Sequence, residues 1–281
     1  MFWLIAATLL SFGFGQLWKW SQRRSLSAPV VVSTNYLTIA ALLMVYFAGQ
    51  GTLSFSYPVL LVGSATGLSF IVSMLVMTHA LERTNVGPVL TSFRLSILVP
   101  IVYGIVIWDE NATALQFLGI TLALLSLILM TWNRNTDDNT TSQHSLALIL
   151  AIFGLQGISH CCLRWVHYAD LDPQRMHVLA ITTLSAGIVG AFFVLVRRQM
   201  PKAREISMGL GIGLFNLVAL GASLTALSLY QGTLFFPLNG SAVVILDNLC
   251  AHYLWREPLN RMGLLGAGLG IVSILLIFQY Q

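Results

Sequence analysis

The sequence predicts an all-α integral membrane protein in which ten transmembrane helices form two inverted five-helix repeats around a central cavity. Three observations support this fold class. Hydrophobic residues make up 57% of the 281 residues and charged residues only 9%, whereas a soluble domain has about 25% charged residues. The chain divides into ten apolar segments. A short motif, Trp-Asp-Glu at 108–110, returns as Trp-Arg-Glu at 255–257, which is 147 positions later.

Each apolar segment is close to the length that a bilayer requires, because a spanning helix needs about 20 mostly apolar residues. The predicted spans are 2–18, 28–48, 58–80, 86–108, 114–132, 146–166, 175–197, 206–229, 232–254 and 260–279. Pro100 and Pro237 fall inside two of these spans, and we expect a kink or a local break at each. The first span has no basic leader, which favours a retained helix over a signal peptide.

A polar stretch near the middle of the chain separates two sets of five spans. It covers 133–145, NRNTDDNTTSQHS, and has the composition of a flexible linker. We therefore expect a first repeat at 1–132 and a second at 146–281. Five crossings are an odd number, so two such copies joined in sequence must have opposite orientations in the bilayer.

The distribution of basic residues predicts the orientation, since cytoplasmic loops carry an excess of Lys and Arg. Loops after the even-numbered spans hold only Arg175, or also Arg164 if that residue is counted with its loop. Loops after the odd-numbered spans hold Lys19, Arg23, Arg24, Arg83, Arg134, Arg197, Arg198, Lys202, Arg204, Arg256 and Arg261. This asymmetry predicts a multi-pass protein of the cell (inner) membrane with both termini on the extracytoplasmic side.

Two charged residues lie inside apolar spans, where a charge costs about 2.5–3.5 kcal/mol on insertion scales. Arg94 lies in the fourth span and Asp247 near the middle of the ninth. Because these spans are equivalent members of the two halves, we expect both side chains to face the cavity. A structural ion pair, or side chains that reach the interface, is the alternative. Asp247 is also the candidate for proton coupling, since burial favours the neutral form of a carboxyl group.

Further polar residues are candidates for lining the cavity. Gln156, His160 and Arg164 lie four residues apart on the sixth span and therefore share one helix face. Arg164 can instead reach the interface, as Arg near the end of a span often does. The other candidates are Asn216 on the eighth span, Asn239 two positions after Pro237, and His79 near the end of the third span, where an interfacial position is the alternative.

The repeated motif has a physical interpretation of its own. Glu110 and Glu257 each open a helix, where a carboxylate meets the positive end of the helix dipole and free N–H groups, so we interpret both as structural caps. Small residues allow helices to approach closely in membranes. The spacings Gly209–Gly213 and Gly266–Gly270 indicate close helix contacts, either inside the bundle or at a homodimer face.

These closing helix pairs resemble the drug/metabolite transporter superfamily, in particular its EamA-like ten-helix members. In that family a Glu, often Glu-Pro, opens the last helix of each half and a Gly-rich helix follows. Glu257-Pro258 with Gly263 and Gly266 fits this pattern, and Glu110-Asn111 with Gly119 fits it without the proline. The resemblance implies a secondary transporter that works by alternating access, most commonly an exporter of amino acids or related metabolites.

The residues are consistent with a small polar organic substrate, since Arg94 would suit a carboxylate and Asp247 with His160 would suit an amine. An organic cation or drug-like amine, held by aromatic rings and Asp247, is the alternative substrate. A membrane-embedded enzyme and a non-transporting receptor are the other classes. No GxSxG, HExxH or paired acidic motif is present, so we assign no catalytic residue.

Partners and cofactors follow from the same composition. The absence of a Walker motif argues against ATP as the energy source. The sequence has no basic patch with interleaved aromatic residues, so we expect no nucleic-acid partner. The three cysteines have no metal-ligand spacing, and we expect no metal and no cofactor. The expected partners are the substrate and the lipid bilayer, with the protein a monomer or a homodimer.

Overall fold

The computed structural model describes residues 1–83, 86–110, 113–132, 143–253 and 261–278. Within these residues every regular element is a helix, which confirms the all-α part of the predicted fold class. The α-helices are α1 (Phe2–Arg23), α2 (Ala28–Gly49), α3 (Tyr57–Arg83), α4 (Val86–Leu95), α5 (Leu98–Ile107), α6 (Ala114–Trp132), α7 (Gln143–Tyr168), α8 (Arg175–Val196), α9 (Ala203–Leu229), α10 (Gly232–Tyr253) and α11 (Arg261–Phe278). A short 3₁₀ helix, Asp172–Gln174, precedes α8.

Within the described residues, six helices are long and apolar enough to cross a bilayer. These segments are Ala28–Gly49, Tyr57–Ala80, Leu146–Tyr168, Asp172–Val196, Ala203–Leu229 and Gly232–Cys250. Shorter apolar stretches occupy Ser92–Ile107, Ala114–Leu129 and Leu264–Leu276. These lengths indicate a membrane protein. The count of ten spans stays a prediction.

The two internal prolines have different effects on their helices. The predicted span 86–108 is two helices, α4 and α5, separated by a turn at Ser96 and Ile97. Pro100 has no N–H, and its ring would clash with the carbonyl group of Ser96 in a continuous helix, so the chain breaks there. Pro237 lies inside α10, which continues through it.

The chain folds into two compact units, each formed from two parts of the sequence. The first unit contains residues 1–78 and 162–228, and the second contains 79–161 and 229–281. The chain passes from one unit to the other within α3, within α7 and near the end of α9. Each unit therefore takes helices from both predicted halves, so that compact unit and repeat are different divisions of this chain.

In the first unit, α2 packs against α8, and the two helices run antiparallel. Ser27 precedes α2 and donates its hydroxyl hydrogen to Oε1 of Gln199, which follows α8, at 3.1 Å. At the opposite end, Ser56 follows α2 and donates to Oε1 of Gln174, just before α8, at 3.3 Å. A hydrogen bond from a serine to a glutamine therefore joins the two helices' flanking residues at each end of the pair.

The helix bounds recur along the chain at nearly constant spacing. Helices α2 and α8 have 22 residues each and begin at 28 and 175, which are 147 positions apart. Helices α3 and α9 have 27 residues each and begin at 57 and 203, which are 146 apart. Helices α6 and α11 begin at 114 and 261, again 147 apart. Gly51 and Arg198, two residues beyond the ends of α2 and α8, both have positive φ.

The glycines of both spacings, Gly209–Gly213 and Gly266–Gly270, lie at contacts between helices of the same unit. In the second unit, Ser126 of α6 donates a hydrogen bond to the carbonyl oxygen of Gly266 at 2.6 Å. A Cβ on Gly270 would lie 2.8 Å from the Ser126 hydroxyl oxygen. In the first unit, a Cβ on Gly213 would lie 2.7 Å from Cβ of Thr38. The glycines therefore allow α11 to approach α6, and α9 to approach α2.

Candidate functional site

Arg94 and Asp247 form an ion pair in the second unit. Nη2 of Arg94, on α4, donates to Oδ2 of Asp247, on α10, at 2.7 Å. The two side chains are 29% and 18% exposed, so the pair is partly accessible rather than sealed in a core. Arg94 is one residue from the end of α4, where the chain breaks before α5. The break therefore lies next to the residue that supplies the guanidinium group.

Helix α7 adds a histidine and an amide to the same unit. Nε2 of Gln156 lies 3.2 Å from Nε2 of His160, so the amide N–H donates to the imidazole ring. The ring of His160 packs against Phe236 of α10, with 5.2 Å between ring centroids. Both pairs therefore contact α10, the first through Asp247 itself and the second through Phe236. We define the polar cluster as Arg94, Asp247, Gln156 and His160, which are four of the residues that the sequence singled out.

The two contacts that α10 makes with this cluster come from one face of the helix. Asp247 follows Phe236 by eleven residues and Asn239 follows it by three, and both spacings are close to whole turns of 3.6 residues. Phe236, which packs on His160, and Asp247, which pairs with Arg94, thus lie on one side of the helix. Asn239 lies between them along the axis, and its Oδ1 atom is buried without a hydrogen-bond partner in the described part of the chain.

The three polar residues that share one face of α7 are divided between the two compact units. Gln156 and His160 belong to the second unit, whereas Arg164 belongs to the first. Arg164 is only 2% exposed. Its guanidinium group donates to the carbonyl oxygen of Leu227 near the end of α9 and lies 5.0 Å from the centre of the Tyr168 ring. A cation at the C-terminus of a helix is favourable for the helix dipole, so the observed contacts of Arg164 are those of a helix cap.

Two other candidates also lie outside the polar cluster. Asn216, on α9 in the first unit, donates from Nδ2 to Oδ1 of Asn35 on α2 at 3.2 Å, and both side chains are buried. This amide pair joins α9 and α2, which also approach each other closely at Gly213. His79 is half-buried near the end of α3 and belongs to the second unit.

Glu110 binds the N-terminus of a helix distant in sequence. Its carboxylate accepts the N–H groups of Gly232 at 3.0 Å and Thr233 at 2.8 Å, at the start of α10. We expected this side chain to cap the helix that follows it in sequence, α6, whereas the described contacts are with α10. The backbone of Glu110 also donates to the carbonyl oxygen of Gly104 at 3.0 Å. Glu257 lies outside the described residues, and its capping role stays a prediction.

Glu205, Asn35 and Phe236 carry contacts that the sequence pattern did not single out. The buried carboxylate of Glu205 accepts the N–H of Ser27 at 3.0 Å and the N–H of Lys202 at 2.9 Å. A signal for Glu205 was present, since it lies in the first turn of a helix that begins shortly after a proline. Asn35 had the same signal as Asn216, a polar side chain inside an apolar span, whereas Phe236 had none because it is an apolar residue in an apolar run.

Among the described residues, no group of three or more His, Cys, Asp or Glu side chains could hold a metal ion. The polar cluster instead offers a guanidinium group, a carboxylate, an imidazole ring and amide groups. Such a set of groups can bind a small polar molecule through charge and hydrogen bonds.

Comparison with known proteins gives the fold and a relative without an assigned function. No family model matches this chain. An uncharacterized protein of Haemophilus influenzae is 21% identical over 296 aligned positions, which cover 98% of this chain and 97% of that protein. A protein of known crystal structure is 13% identical to this chain and superposes on it with a TM-score of 0.81. The superposition covers 99% of this chain and 95% of that protein's chain. This structural likeness shows that the chain shares its fold with a protein of known structure.

Proposed function

We propose that this protein is a secondary transporter, an exporter of a small polar organic metabolite such as an amino acid or a related compound. The observation that carries the proposal is the partly accessible Arg94–Asp247 ion pair between apolar helices. Charged residues within membrane spans are costly and usually mark the path of a substrate or an ion. A pair that served only to hold two helices together would be expected in a fully buried position.

The chemistry of the pair suits a zwitterion. The planar guanidinium group of Arg94 matches a carboxylate with two parallel hydrogen bonds, and the carboxylate of Asp247 matches an ammonium group. A bound zwitterion would therefore give Arg94 a carboxylate in place of Asp247, and it would give Asp247 an ammonium group in place of Arg94. We further propose that Asp247 carries the coupled proton if transport uses a proton gradient, since a carboxyl group can exchange a proton when its cationic partner moves away.

The architecture that we propose is ten spans in two inverted repeats of five, embedded in the inner membrane with both termini outside the cytoplasm. The recurrence of helix bounds at 146 and 147 positions supports the duplication. The antiparallel packing of α2 against α8, which occupy equivalent places in the two halves, supports the inversion. Inverted repeats allow a site near the bilayer midplane to open alternately to each side. The EamA-like motif at Glu110 and Glu257 agrees with this assignment.

An organic cation or drug-like amine is the second candidate substrate. Phe236 lies on the same face of α10 as Asp247, so the helix presents an aromatic ring and a carboxylate in one line. Such a combination attracts a cationic group through its charge and its aromatic quadrupole. A cation would use Asp247 and leave Arg94 without a role in binding.

The test is transport by purified protein in proteoliposomes. We expect counterflow of a labelled amino acid mixture, and we expect Arg94→Ala and Asp247→Asn each to abolish it without lowering the melting temperature by more than a few degrees. Asp172→Asn is the matched control, since Asp172 pairs with His167 at 2.5 Å near the end of α7 and should retain wild-type flux.

Two results decide between the candidates. The same assay with labelled tetraethylammonium tests the alternative, since flux of this cation that is lost in Asp247→Asn and retained in Arg94→Ala would favour the organic cation. Wild-type flux in both variants, or no flux of either substrate class through the wild-type protein, would contradict the proposal.

A further inference from the structure

We infer that Asn239 recognises a second polar group of the transported molecule, so that the substrate is elongated, with a zwitterionic head at Arg94–Asp247 and a hydrogen-bond donor at its far end. The inference rests on the proposed function and narrows its substrate class. It concerns the second unit only, where all the residues involved are found.

The first support is the place of Asn239 on α10. Asn239 precedes Asp247 by eight residues, which corresponds to a rise of about 12 Å along an α-helix at 1.5 Å per residue. A hydrogen bond of about 2.8 Å at each end would leave roughly 6 Å between the head and the distal donor. Val243 is buried on the same face between the two polar residues, so the middle of the molecule would be apolar.

The second support is the unpaired oxygen itself. Oδ1 of Asn239 is buried and has no hydrogen-bond partner in the described part of the chain. Buried polar atoms are nearly always hydrogen-bonded, because an unpaired one loses its contact with water without compensation. Oδ1 can only accept, so the missing partner is a donor. The protein covers Oδ1 in this state, so a ligand ammonium or hydroxyl group reaches it when the helices around α10 rearrange during alternating access.

Ser241 provides a matched control on the same helix. Its Oγ atom is also buried and has no partner in the described residues. Ser241 follows Phe236 by five residues, a spacing that turns its side chain away from the face shared by Asn239 and Asp247. An unpaired hydroxyl group at this position has no route to the proposed substrate. Any effect common to Asn239 and Ser241 is therefore structural.

The experiment compares lysine with norleucine and 6-hydroxynorleucine in proteoliposomes. All three have the same zwitterionic head and a straight side chain, but only lysine and 6-hydroxynorleucine end in a donor. We expect the wild-type protein to prefer both over norleucine by about tenfold or more in kcat/KM, as the loss of a buried hydrogen bond implies. Asn239→Leu should reduce this preference to about twofold or less, while Ser241→Ala should retain it.

The outcomes separate this inference from the proposed function. Equal transport of the three probes by the wild-type protein, or an unchanged preference in Asn239→Leu, would overturn the role of Asn239. If the wild-type protein moves other amino acids but none of the three probes, the elongated substrate is wrong and the transporter stands. If it moves nothing, both fail. Should Asn239→Leu not fold, Asn239→Ser tests the same contact, because its hydroxyl group is too short to reach the donor.

Discussion

Replacing Glu110 by glutamine should loosen the start of α10. The glutamate is only 5% exposed, and its two carboxylate oxygens accept the N–H groups of Gly232 and Thr233. These N–H groups belong to the first turn of the helix and have no carbonyl partner within it. Glutamine retains one oxygen but presents an NH₂ group where the second oxygen was. One backbone N–H would therefore face another donor.

The expected cost follows from two contributions. An unsatisfied buried donor costs about 1–3 kcal/mol. A negative charge at a partly buried helix N-terminus contributes up to about 2 kcal/mol. Together they give about 1–5 kcal/mol for Glu110→Gln. At 2–4 °C per kcal/mol for a chain of comparable length, the melting temperature should fall by roughly 2–20 °C, with about 9 °C at the middle of both ranges.

Thermal unfolding of the purified protein in detergent measures this change. Asp109→Asn is the matched control, since Asp109 is the adjacent carboxylate but is exposed, and we expect its melting temperature to stay within about 1–2 °C of the wild-type value. A melting temperature of Glu110→Gln equal to that of Asp109→Asn would refute the capping role. Substrate affinity should be unchanged in both variants, because Glu110 is not in the polar cluster.

Three further predictions concern helix packing and orientation. Gly270→Leu should destabilise the contact between α6 and α11 more than Ser126→Ala, because a Cβ at 270 would lie 2.8 Å from the Ser126 hydroxyl; equal melting temperatures would contradict this packing. Asn216→Leu and Asn35→Leu should each lower the melting temperature, and the double variant should lose less than the sum; additive losses would mean that the amide pair contributes nothing. A tag at either terminus should be labelled in intact cells, whereas labelling only after lysis would reverse the predicted orientation.

The helix positions followed closely from the hydrophobic pattern. The span predicted at 28–48 is α2 (Ala28–Gly49), and the span predicted at 175–197 is α8 (Arg175–Val196). Length and apolar character are local properties, so a single sequence reveals them. The break between α4 and α5 was expected from Pro100, whereas Pro237 leaves α10 continuous. The difference depends on the packing around each proline, which the proline alone does not specify.

The polar candidates were harder to sort. Arg94 and Asp247 came together, while Asn216 pairs with Asn35, a residue inside an apolar run without any motif. In a membrane protein the faces toward lipid and toward neighbouring helices are both apolar, so the pattern indicates poorly which side of a helix faces inward. The sequence therefore identified unusual residues without indicating which of them would share a site.

By itself, the sequence determined the all-helical class, the helix lengths, and the recurrence of motifs and helix starts at about 147 positions, since each of these is encoded by neighbouring residues or by direct comparison along the chain. Only the tertiary structure decided that the Arg94 guanidinium meets Asp247, 153 residues away, and that Glu110 binds the start of α10, 122 residues away. Contacts over such separations depend on how each helix is rotated about its axis and where it crosses its neighbours. Those quantities are determined by side-chain packing across the whole unit.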